Sequence, residues 1–66
     1  MSDYKWAVYE WPNSGKGTDR PYLLRFTVAR YEPTYKAAKE NDPITLSLFT
    51  SFMAADKWAK ELEANV

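Results

Sequence analysis

Cysteine and histidine are both absent from this 66-residue chain. Without cysteine there are no disulfides to hold a small fold together, and without either residue the commonest metal ligands are missing too. A surplus of charge of one sign is also lacking, since nine basic residues balance nine acidic ones. The balance holds along the chain: residues 1–33 carry five basic and four acidic residues, and residues 34–66 four and five. A strongly basic nucleic-acid binder or an acidic mimic of DNA has a different composition. No apolar run approaches the roughly 20 residues needed to cross a bilayer, and the first residues lack the basic region and apolar stretch of a secretion signal. The expectation is a soluble, cytoplasmic protein that needs neither membrane, metal nor cofactor.

What the chain has in quantity is aromatic side chains, 17% of its residues, with three Trp and five Tyr. One domain spanning 1–66 is all this length can make, and its buried core leaves a margin of a few kcal/mol at most. Dense aromatic packing or association with another chain must supply the rest.

The strongest periodicity lies in residues 49–66. Phe52, Ala55, Trp58, Ala59, Leu62 and Val66 fall in one sector of a helical wheel, and Asp56, Lys57, Lys60, Glu61 and Glu63 fall on the other side. Ser51 or Thr50 stands where an N-cap belongs, and Asp56 with Lys60 makes an i,i+4 pair in the favourable order. Upstream, Pro12, Pro21, Pro33 and Pro43 each mark the edge of an apolar segment. Three strands are predicted between them, over residues 4–11, 22–32 and 44–49, all rich in aromatic or β-branched residues. The fold class is therefore α+β, a three-stranded antiparallel sheet packed on one face by a C-terminal helix. A polar loop, residues 12–21, joins the first two strands. Residues 34–42 join the last two and have the composition for one or two helical turns.

Alternation assigns Trp6, Val8, Leu24, Phe26, Val28, Ile44, Leu46 and Leu48 to the side facing the helix. The other side then carries Lys5, Ala7, Tyr9 and Trp11, beside Leu23, Arg25, Thr27, Ala29 and Tyr31, beside Thr45, Ser47 and Phe49. A single helix covers one face, so this second face is left as an aromatic surface of the kind that marks an interaction site. The competing expectation is that the N-terminal arm, the long loop or residues 34–42 fold over it.

Chemistry-bearing motifs are scarce. Residues 14–18, Ser-Gly-Lys-Gly-Thr, lack the earlier glycine of a phosphate loop, where Glu10 stands, and the hydroxyl residue after the lysine, where Gly17 stands. The carboxylates are assigned to loops or to the solvated side of the helix, and no histidine is present to activate a hydroxyl. The chain is read as a non-enzyme. Arg20, Arg25 and Arg30 lie on or beside the second strand, taken as the middle one, and arginines among aromatics suit protein hot spots or stacked bases.

Residues 49–63, Phe-Thr-Ser-Phe-Met-Ala-Ala-Asp-Lys-Trp-Ala-Lys-Glu-Leu-Glu, resemble the closing strand and helix of the arm-type DNA-binding domain at the N-terminus of tyrosine integrases. The resemblance implies a three-stranded sheet plus helix whose open sheet face enters the major groove of duplex DNA. Lys5, Arg25, Thr27, Thr45 and Ser47 would read bases, and Lys16 or Arg20 would meet phosphates.

The leading expectation is a non-enzymatic protein-interaction module, such as a small inhibitor or adaptor of a phage or mobile element. It would bind a protein partner, or itself as a homodimer, through Tyr9, Trp11, Leu23, Arg25, Thr27, Tyr31 and Phe49. Sequence-specific binding of double-stranded DNA by the same face is the alternative, favoured less because the net charge is zero.

Overall fold

The computed structural model describes residues 3–65, so Val66, expected in the apolar sector of the helix, lies outside them. Three strands form, β1 at Trp6–Glu10, β2 at Phe26–Arg30 and β3 at Ile44–Phe49, followed by helix α1 at Phe52–Ala64. The expected α+β architecture is present: an antiparallel three-stranded sheet with a C-terminal helix against it. No helix among the described residues is long and apolar enough to cross a membrane.

The strand order differs from the sequential one. It is β2-β1-β3, so the first strand, not the second, is central. Both neighbours run antiparallel to β1 and are therefore parallel to each other. A connection between parallel strands must travel back along the sheet, which takes a dozen or so residues. Residues 31–43 make that return, without the helical turns their composition allowed. Asp42 Oδ2 instead accepts from the N–H groups of Ala38 and Lys39, both at 2.9 Å, and so organises a turn.

Because β2 and β3 flank β1, the return must cross β1. It does so on the side away from the helix, where Tyr35 meets Tyr9 edge to face with ring centroids 5.6 Å apart. The Tyr35 hydroxyl donates to the Pro43 carbonyl at 2.6 Å and fixes the ring there. Tyr9 is 8% exposed, and Ala7, on the same side of β1, is fully buried. The competing expectation for residues 34–42 therefore describes the middle of this face.

The helix side of β1 contributes Val8, the largest fully buried side chain, packed with Ala55 and Ala59. Trp6, Phe26, Val28, Phe49 and Trp58 surround this small centre and are half-buried. Aromatic contacts extend it: Trp6 meets Phe52 at 4.9 Å and Phe49 meets Trp58 at 5.6 Å, each worth about 0.5–1.5 kcal/mol beyond area burial. The helix begins at Ser51 as N-cap, without a side-chain cap hydrogen bond, and the Asp56–Lys60 pair closes at 2.9 Å.

Register corrects three assignments on β3. Trp6 pairs with Phe49 and Val8 with Ser47, and directly paired residues share a face. Phe49 and Ser47 therefore lie on the helix side, and Leu48, paired with Ala7, lies on the other. A bulge opposite Val8 and Tyr9 shifts the alternation that strict period-2 counting assumes. Ile44 and Leu46 are exposed rather than core, and so is Leu24 just before β2.

The loop between β1 and β2 is anchored by Ser14, which is buried and bridges to Arg20. Gly15 has φ +102, and a Cβ there would sit 2.8 Å from Arg25 Cβ; Gly17 has φ +80 and open space around it. Substituting alanine at Gly17 adds backbone strain alone, about 1–2 kcal/mol, whereas at Gly15 overlap adds about 1–3 kcal/mol more. Thermal unfolding of G15A and G17A should therefore show the larger loss for G15A, and equal losses would refute the close approach of Gly15 to Arg25.

Candidate functional site

Strand β2 is an edge strand, and its pairing with β1 fixes which backbone groups point away from the sheet. The Trp11 N–H donates to the Arg25 carbonyl at 2.7 Å, and the Tyr31 N–H to the Lys5 carbonyl at 2.9 Å. Odd-numbered residues of β2 thus bond to β1, and Phe26, Val28 and Arg30 direct their backbone outward. Glu63 meets the first of these. Its Oε2 accepts the Phe26 N–H at 3.0 Å, and its Oε1 accepts the Arg25 N–H at 3.4 Å.

Glu63 was assigned to the solvated side of the helix. It stands four residues after buried Ala59, and that spacing makes the two neighbours on the helix surface. From Glu63 a groove of about 260 Å³ runs between β2 and α1. Leu24, Phe26, Val28 and Ala59 line it, Phe52 closes the far end, and Asp56 and Lys60 form the outer rim. Beyond Glu63 the N–H groups of Val28 and Arg30 lie at the free edge of the strand. A larger depression of about 640 Å³, bordered by Phe52, Met53 and Lys57, has all its lining on one helix and is surface relief rather than a site between elements.

The residues expected on the sheet face separate. Tyr9 is buried beneath Tyr35 and offers no ring to a partner. Trp11 is half-buried, with its indole N–H donating to Thr27 Oγ1 at 2.9 Å. Leu23 lines a shallow depression with Trp11, Thr27 and Leu24, and Tyr31 is half-buried near the other end of the sheet. Phe49 packs under Trp58 on the opposite face. Arg25 Nε donates to Glu10 Oε2 at 2.7 Å, so its charge is partnered within the chain.

The expected nucleic-acid contacts do not form one surface. Lys5, Lys16, Arg20 and Thr45 are exposed, Lys16 and Arg20 in the loop after β1 and Lys5 just before β1, at the opposite end of that strand. Ser47 is on the helix side. Arg30 lies over the Trp6 ring at 5.3 Å. Compared with known proteins, the chain matches no family model, no curated protein and no solved structure.

Among the described residues, the crossing segment bears a clearly perturbed titration. Desolvation, then the charge of Asp42 and the proximity of Tyr9, push the Tyr35 phenol above its ordinary value of 10.0. A raised folded-state value means the stabilisation is complete below the unfolded value and is lost as pH rises through the folded one. The unfolding midpoint should fall as pH climbs above 10, and Y35F should show a smaller alkaline fall than the parent; equal falls would count against this contact. For Glu63, removing the carboxylate leaves edge N–H groups without their charged acceptor. E63A should lose about 1–3 kcal/mol in denaturant unfolding, and a loss within the scatter of an exposed-glutamate control such as E61A would overturn the role of Glu63.

Proposed function

We propose that this chain is a non-enzymatic protein-interaction module that binds an extended segment of a partner protein along the groove between β2 and α1. The observation that carries the reading is the coincidence of a free strand edge with an apolar channel. Val28 lines the channel and, with Arg30 farther along the strand, leaves a backbone N–H at the free edge, and exposed Leu24 and Phe52 border the channel. A peptide added to a sheet edge gains main-chain hydrogen bonds, while alternate side chains enter the channel.

The non-enzymatic part rests on the chemistry of the side chains. Histidine and cysteine are absent. Glu10, Asp42, Asp56 and Glu63 are engaged with Arg25, backbone N–H groups, Lys60 and the β2 edge respectively. The setting we propose, a cytoplasmic inhibitor or adaptor of a phage or mobile element, calls for contact surfaces and no reactive group. Against DNA binding stands the crossing segment, because a sheet face must be bare to enter a major groove and here Tyr35 lies over its centre. Arg25, the arginine expected at the bases, is held by Glu10.

The reading predicts a peptide preference. Selection of random peptides on the immobilised protein should enrich extended sequences with alternating apolar residues, and their binding should shift the amide resonances of Val28 and Arg30. Leu24 is 63% exposed, so L24D should keep stability within about 0.5 kcal/mol while abolishing that binding. No enrichment, or binding that L24D leaves unchanged, would remove the assignment.

A further inference from the structure

The other edge of the sheet is built differently. The outer edge of β2 is partly closed by Glu63 and flanked by Arg25 and Arg30. Strand β3, with the sequence Ile-Thr-Leu-Ser-Leu-Phe, has no charge and no proline, and one bulge opposite Val8 and Tyr9 interrupts it. Lysine and proline, two of the side chains that keep a natural edge solitary, are both absent from it. The helix lies chiefly against β2, so Ile44 and Leu46 stay 48% and 39% exposed.

The surface area points the same way. A compact monomer of 7.7 kDa exposes about 4,300 Å² by size scaling, and this chain exposes 5026 Å². The chain thus carries more exposed surface than its size requires, and Ile44 and Leu46 contribute to it.

We infer that β3 pairs antiparallel with β3 of a second copy of this chain, giving a continuous six-stranded sheet about a two-fold axis. The self-match is physical. A two-fold pairing sets each edge against itself, and a strand without charge meets no like charge there. Asp42, just before β3, is carried to the far end from its counterpart by the antiparallel direction. Six residues span about 20 Å, and antiparallel pairing centred on the strand sets Leu46 of the two copies beside the axis and Ile44 toward the two ends. The pairing leaves the β2 groove free on both outer edges, so it is independent of the peptide reading.

Sedimentation equilibrium at micromolar concentration should give twice the chain mass, and hydrogen exchange should show protection of the β3 amides that rises with concentration. L46K should raise the dimer dissociation constant roughly tenfold or more by setting like charges across the edge; T45K repeats the test at a second exposed position, with circular dichroism confirming the fold of each. L24D should leave the dimer intact. A monomer at every concentration would overturn the inference, and so would a dimer that survives both lysine variants or one that L24D alone dissociates.

Discussion

The constraint on which the rest depends is the placement of β1 between β2 and β3. It makes the two outer strands parallel, and a return over the sheet is then required. That return has one face available, because the helix occupies the other. The crossing explains why Ala7 is small and fully buried, why Tyr9 is covered, and why Tyr35 is fixed by its hydroxyl to Pro43. Asn13 Nδ2 donates to Asn41 Oδ1, tying the first loop to the same segment. A chain with a tiny aliphatic centre thus acquires a second, thinner packing layer from aromatic and polar contacts.

Much of this was legible in order along the chain. Proline spacing located all three strands, and β3 occupies residues 44–49 as expected. The apolar sector of the helix identified Ala55 and Ala59, and the Asp56–Lys60 pair formed as the spacing required. Strand order was not legible, because pairing is decided by contacts far apart in sequence while patterning is local. With the middle strand misassigned, nothing in residues 33–43 announced that Tyr35 would meet Tyr9. The bulge in β3 then reversed Ser47, Leu48 and Phe49, since one extra residue moves every later side chain to the opposite face. Glu63 was hidden differently: a carboxylate reads as solvated until a strand edge lies within its reach.

The two edges of the sheet show how a small chain divides its surface. On the β2 side a helix carboxylate takes the first outward N–H and the helix wall forms a channel. On the β3 side the strand carries no charge, which is compatible with the pairing with a second copy proposed above. Specific recognition needs features that reject wrong partners as well as ones that attract the right one. In the proposed peptide contact the paired Asp56 and Lys60 at the rim of the channel would supply that. The proposed pairing through β3 would rely on symmetry, since a two-fold contact is complementary to itself by construction.

Extending the sheet through β3 also bears on the groove at the other edge. The core of a single chain is little more than Val8, Ala55 and Ala59 ringed by half-buried aromatics. Such a centre gives the edge strands few buried contacts, and segments of that kind open locally at low free energy. Joining two copies through β3 would add main-chain bonds on one side of β1 and hold the ladder that sets the register of β2 on the other. The N–H groups of Val28 and Arg30 would then be presented in a fixed geometry, and a peptide arriving at that edge would lose less of its binding free energy to ordering the strand that receives it.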